Sequence, residues 1–212
     1  MSKSVQYTVG TFLAISAFLG TTGPAYSQQV IRWDVNRAVL AGSGCQKDVD
    51  AFIIEAGNDV AVVFSNLGVE LADRYAPLAA RKTCMARIAA SVAKGLYIGT
   101  LTQNVSFGVS KSLGSEAGVG VMSSFAGYRL PPLNVSIGRN RRADGDIQTA
   151  SRRDDFLVNG RGMCGRNIPV MYQAQLTASG SRSTTNDFVI TQIDGLDVRF
   201  EATAGVYTCP IR

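Results

Sequence analysis

The chain contains no histidine. That absence removes the Ser-His-Asp and Cys-His catalytic arrangements and the common histidine-based zinc sites. Cysteine is scarce, with four residues, and none of them stands in a Cys-x-x-Cys knuckle. No run is both long and apolar enough to span a bilayer, which needs about 20 residues. Net charge is +5, too diffuse for a nucleic-acid footprint, so no specific nucleic-acid partner is expected. No internal repeat and no linker-like segment interrupts the chain.

What is present begins with Lys3, followed by an apolar run from Val9 to Leu19. A polar stretch with Gly23 and Pro24 comes next, then Ala25-Tyr26-Ser27. This is the layout of a secretory signal peptide, with cleavage expected after Ser27. Residues 1–27 are thus read as a leader and 28–212 as one secreted domain, extracellular or periplasmic in a Gram-negative host.

Several short stretches suit strands. "QQVIRWDV" alternates, with Ile31, Trp33 and Val35 on one side. "VDAFIIEA" and "DVAVVFSNL" flank "AGND", which suits a hairpin turn. "LYIGTLTQNVSFGVS", "LNVSIG", "NIPVMYQAQLTASG", "DFVITQID" and "LDVRFEATAGVYTC" continue the pattern. Many short strands with recurrent breaks predict an all-β, single-domain β-sandwich of antiparallel strands.

Residues 69–95 are rich in alanine and other helix formers, and propensity predicts helix there. Pro77 interrupts the run, and a strand through "TCMARIAASVA" also alternates. A short helix over 69–75 stays open. Two segments read as loops. Residues 114–132 hold several glycines and two prolines. Residues 138–155 mix charges of both signs without an apolar period.

Four cysteines in an exported chain favour two disulfides, among three possible pairings. Their contexts, in order, are "GSGC" (42–45), "RKTC" (81–84), "CG" (164–165) and a last Cys209. This order resembles the DUF4360 family of small secreted proteins of fungi and bacteria, whose function is uncharacterised. "FSNLGVELADRYAPLAARKTC" looks like that family's approach to its second cysteine, and "QIDGLDVRFEATAGVYTC" looks like its C-terminal strand pair. Gln46 stands where the family usually has proline. The resemblance implies secretion and supplies no activity.

Arg81 and Lys82 precede Cys84, and neighbouring cations stabilise a thiolate. With no histidine base and three other cysteines at hand, Cys84 reads instead as half of a disulfide. If local order guides pairing, Cys45 joins Cys84 and Cys164 joins Cys209. "SVAK" (91–94) fits Ser-x-x-Lys, but the partner motifs Ser-Asp-Asn and Lys-Thr-Gly are absent. Asp144, Asp146, Asp154 and Asp155 could supply oxygens to calcium or an acid/base pair for glycoside hydrolysis, though five arginines share their stretch. Arg139, Arg141, Arg142, Arg152 and Arg153 are the candidate anion-binding residues, for an acidic polysaccharide or another surface component. Asn104 and Asn134 each begin an Asn-Val-Ser glycosylation sequon. No metal or cofactor is expected. The functional expectation is a non-enzymatic binding or surface-associated protein. The alternatives are a secreted hydrolase using loop carboxylates and a secreted effector.

Overall fold

The computed structural model describes residues 30–45, 51–71, 77–155, 164, 169–182, 191–193 and 198–210. The expected leader and residues 72–76, which hold most of the stretch 69–75 left open for a short helix, lie outside them. The described residues form fourteen strands and no helix.

One sheet runs in the order β1 (Ile31–Trp33), β6 (Ala79–Val92), β12 (Val170–Arg182), β8 (Ser115–Phe125), β10 (Leu133–Ile137). β2 (Val39–Ala41) also pairs with β6, and β9 (Tyr128–Arg129) with β8. The second sheet runs β3 (Ala51–Ala56), β4 (Asp59–Phe64), β14 (Val198–Thr208), β7 (Leu96–Lys111), β13 (Thr191–Ile193), β5 (Val69–Glu70). β11 (Ala143–Asp155) lies along the other edge of β7. Every pairing is antiparallel. The expected antiparallel sandwich is what the chain forms.

The two sheets pack face to face because each is apolar on one side. In β12 the residues Tyr172, Ala174, Leu176 and Ala178 are buried, while Gln173, Gln175 and Thr177 between them are half-buried. In β7 the inward set is Leu101, Gln103, Val105, Phe107 and Val109. The period of two is what puts alternate side chains on opposite faces. Between the sheets, Trp33 meets Tyr172 edge to face at 6.1 Å, and Tyr172 stacks on Phe200 at 6.2 Å. Trp33 also ties the layers by donating its indole N–H to the Asn58 carbonyl at 3.2 Å.

Two expectations require correction, and one open alternative is decided. The alanine-rich run 79–92, which the sequence leaves open between helix and strand, is strand β6. Burial of Cys84, Ala86, Ile88 and Ala90 on alternate positions outweighs a propensity difference of a few tenths of a kcal/mol per residue. Residues 114–132 are not a loop but β8, a turn and β9. Gly118 and Gly120 sit inside β8, where a Cβ would meet Val135 O at 2.9 Å and Asn134 Oδ1 at 2.7 Å. Glycine marks close strand approach there rather than a break. Residues 143–155 are strand β11 rather than a solvated loop. Its mixed charges suit the rim of a sandwich, where charge blunts an exposed edge.

The hairpin at "AGND" is present, with Ala56 opposite Asp59 and Gly57 at φ +61°. Both disulfides form as local order suggested: Cys45–Cys84 and Cys164–Cys209. Their sequence separations are 39 and 45 residues. Closing loops of that size is worth about 4 kcal/mol each in the chain-entropy account. Cys84 therefore carries no thiolate, and the question raised by its two cations is settled structurally.

The "GSGC" segment presses flat against β6. Gly44 N–H donates to Thr83 O at 3.1 Å, and Thr83 N–H donates to Ser43 Oγ at 3.1 Å. A Cβ on Gly42 would stand 2.1 Å from Thr83 O, and Gly42 has φ +147°. Only glycine lets the chain come this close and deliver Cys45 to Cys84. Gly42→Ala is expected to cost at least about 2 kcal/mol and to raise the free-thiol content of freshly folded protein. Urea denaturation and thiol titration check this, and an unchanged midpoint would contradict it.

Candidate functional site

The five candidate arginines do not converge. Arg139, Arg141 and Arg142 are exposed on the turn between β10 and β11. Arg152 and Arg153 lie ten residues further along β11, about 30 Å away at the rise of an extended strand. Strand alternation then sends these last two to opposite faces. Arg152 pairs with Asp154 at 2.9 Å, and Arg153 pairs with Asp155 at 3.5 Å.

The turn itself is pinned from below. Lys111, almost fully buried, donates its ammonium to the carbonyls of Ser112 at 3.2 Å, Gly138 at 3.1 Å and Arg141. Burial lowers its pKa, and the Arg141 charge adds to that. Lys111 is committed to holding the turn's backbone.

The candidate carboxylates are likewise dispersed. Asp144 and Asp146 are exposed, and Asp155 is paired on the surface. Asp154 points inward. Among the described residues, no group of three or more His, Cys, Asp or Glu stands close enough to hold a metal ion. Ser91 and Lys94 sit on a strand end and the following turn, both exposed, and Ser91 Oγ donates to Arg32 O at 3.4 Å. Asn104 lies mid-strand in β7, where its Oδ1 accepts from Ser151 Oγ at 2.6 Å, and Asn134 lies on β10.

Asp154 belongs to a polar cluster that sequence reasoning missed. Arg152 Nε holds Asp154 Oδ1, and Gln103 Nε2 donates to Asp154 Oδ2 at 3.4 Å. Gln103 Oε1 in turn accepts from Ser123 Oγ at 2.7 Å and from Tyr172 OH at 3.1 Å. The chain of bonds crosses the core from β11 and β7 of one sheet to β8 and β12 of the other. Burial raises the Tyr172 pKa well above its usual 10, so the hydroxyl stays a donor. The signal was Gln103 itself, a polar residue in register with Leu101, Val105 and Phe107.

A second feature lies on the outer face of the first sheet. Along β12 the outward positions are Gln173, Gln175, Thr177, Ser179 and Ser181, all neutral hydrogen-bonding groups. The register sets Arg81 of β6 beside Ser179, and Ser179 beside Gly118 of β8, which faces Ser136 of β10. Because two glycines sit in β8, the surface dips. Two adjoining cavities of about 340 and 440 Å³ share Arg81, Gly118, Ser136 and Ser179. Arg81 Nη2 reaches Thr177 Oγ1 at 3.4 Å, Met122 and Asn134 close one end, and Glu116 stands at the other. Among the described residues, Arg81 and Glu116 are the only charged ones in this lining, and no aromatic ring joins them. Lys82, next in sequence to Arg81, faces the other way and donates to Asn66 O and Oδ1 at 3.0 and 2.8 Å.

No protein-family model and no curated protein matches the chain. Solved structures give remote likenesses. The carbohydrate-binding module TmCBM61, in complex with β-1,4-galactotriose, is 10% identical with a TM-score of 0.27, over 82% of this chain and 90% of that one. The family 11 carbohydrate-binding module from Clostridium thermocellum, in complex with a β-1,3-1,4-mixed-linked tetrasaccharide, is 9% identical with a TM-score of 0.17, over 93% and 95%. A chain of infectious bursal disease virus, Gx strain, is 11% identical with a TM-score of 0.30, over 85% and 41%. Likenesses at these scores assign neither family nor ligand.

The buried cluster makes two predictions. Gln103→Leu strips acceptors from Tyr172 and Ser123 and a donor from Asp154, and should cost roughly 2–4 kcal/mol. Tyr172→Phe removes one partner cleanly and should cost only about 1 kcal/mol. The two costs are compared by urea denaturation, and equal losses would contradict the cluster. The raised Tyr172 pKa means that its contribution is complete below pH 10 and is lost as pH rises above it. The stability gap between wild type and Tyr172→Phe should therefore narrow in alkali, and a constant gap would contradict the assignment.

Proposed function

We propose that this disulfide-stapled β-sandwich is exported and acts as a non-enzymatic binding protein, holding an acidic polysaccharide in the trough over β6, β12, β8 and β10. The observation that carries the proposal is the joined cavity pair with Arg81 at its centre. Hydroxyls and amides at Asn134, Ser136, Thr177 and Ser179 match the hydroxyls of a sugar chain. Arg81 supplies a planar donor fork suited to a carboxylate. An elongated, open depression accommodates an extended polymer better than a compact metabolite. Two-carboxylate glycoside hydrolysis needs a pair of acids flanking the bond, and among the described residues the trough lining offers Glu116 alone.

Export is supported by the leader layout of residues 1–27 and by the two disulfides, which persist in oxidising compartments. No helix among the described residues is long and apolar enough to cross a membrane. Membership of the DUF4360 family is part of the same proposal and rests on the order of the four cysteine contexts.

Titration calorimetry with polygalacturonate, and with dextran as the neutral control, tests the assignment. Binding is expected for the acidic polymer and should weaken as salt rises. Arg81→Ala should weaken it at least about tenfold, the loss of one charge-assisted contact. Arg153→Ala, on the other sheet, should leave it unchanged. Failure to bind the acidic polymer, or loss in Arg153→Ala with Arg81→Ala unaffected, would overturn the proposal.

A further inference from the structure

Among the described residues β11 is the longest edge strand, thirteen residues, and its only ladder is to β7. Its opposite edge presents a row of backbone N–H and C=O groups, the usual template for pairing with another chain. The charges along it have an order. Asp144 and Asp146 precede the midpoint Thr149; Arg152 and Arg153 follow it, with Asp154 and Asp155 beyond them. Ile147, on this same edge, is 71% exposed.

We infer that β11 pairs with β11 of a second copy of this chain, antiparallel, about a two-fold axis at Thr149. Directly opposed residues in a continuous antiparallel sheet must point to the same face, so a two-fold of this kind centres on a residue rather than between residues. Centring on Thr149 sets Asp146 opposite Arg152 of the second copy, and by symmetry the reverse. Arg152 keeps its Nε on Asp154 of its own strand, leaving its terminal guanidinium nitrogens for the incoming aspartate. Two cross-strand pairs of opposite charge therefore form. Ile147 then stands against Ser151 of the second copy and loses its exposure.

Other registers fit worse. Moving the axis to Ala150 sets Asp146 opposite Asp154. A parallel arrangement sets each aspartate against its own copy. The irregularity between Ala143 and Asp146, with Gly145 at φ +71°, bends the strand away before Asp144 can meet Asp154. Pairing is thereby confined to 146–152. Charges that repel an arbitrary edge strand are in this order complementary to the strand's own copy, which gives both protection and specificity. The result would be one continuous sheet across two molecules, with each copy's trough on the opposite layer and clear of the contact.

Sedimentation velocity of the full secreted chain at concentrations up to about 100 μM tests this, a range that captures interfaces of modest area. The wild type should show reversible dimers. Thr149 is exposed and makes no contribution to the core, so its substitution leaves the fold intact, as near-ultraviolet circular dichroism will verify. Thr149→Lys places two cations against each other at the axis, and Thr149→Glu two anions. Each alone should weaken the dimer at least about tenfold. An equimolar mixture of the two should restore it as a heterodimer. A monomeric wild type would overturn the inference. So would variants that dimerise unchanged, or variants that dissociate and fail to re-associate when mixed.

Discussion

The constraint on which everything else depends is mutual burial of one face of each sheet. Neither sheet is stable alone, because each offers water a continuous apolar surface. Packed together, β7 and β12 run through the centre, and Trp33, Tyr172 and Phe200 bridge the gap. Once the inner faces are committed in this way, only the outer faces and the edges can serve other molecules. The trough occupies one outer face, and β11 occupies one edge. Even the buried polar cluster obeys the constraint. Gln103 is tolerated at a core position because Tyr172, Ser123 and Asp154 satisfy its amide from both sheets.

The covalent framework reinforces this arrangement at two places of different character. Cys45–Cys84 is buried and fixes residues 42–45, which follow β2, onto β6. Cys164–Cys209 is half-buried and ties Cys164 to the end of β14. The first explains the local sequence closely. Gly42 and Gly44 are needed for contact with Thr83 and Leu67, and Ser43 supplies the hydrogen bond that fixes the register. A four-residue motif that looks like a cysteine context is thus a docking element for a strand.

How far the sequence could be read depended on contrast between faces. "QQVIRWDV" and "DVAVVFSNL" gave strands because apolar residues repeat there. β8 was hidden because its outward positions include Gly118 and Gly120, which resemble a loop until Asn134 and Ser136 of β10 are seen lying over them. β11 was hidden because a rim strand has no apolar face to display. Its Gln148, Ala150, Arg152 and Asp154 alternate with Thr149, Ser151 and Arg153 without a change in polarity. The arginines failed as a single site for the same reason, since proximity in sequence along a strand separates side chains by face and by length. Arg81 stands close to Cys84 in sequence, yet on the strand it faces outward into the trough while Cys84 faces in. The trough was invisible because it is assembled from four strands whose adjacency only the sheet order discloses.

The most direct test of this account is a map of where an acidic polysaccharide touches the protein. Backbone amide shifts of isotope-labelled protein, followed during titration with oligogalacturonate, provide it. The account predicts perturbations centred on Arg81, Gly118, Gly120, Asn134, Ser136, Thr177 and Ser179. Perturbations confined to the turn carrying Arg139, Arg141 and Arg142, with the trough silent, would contradict it.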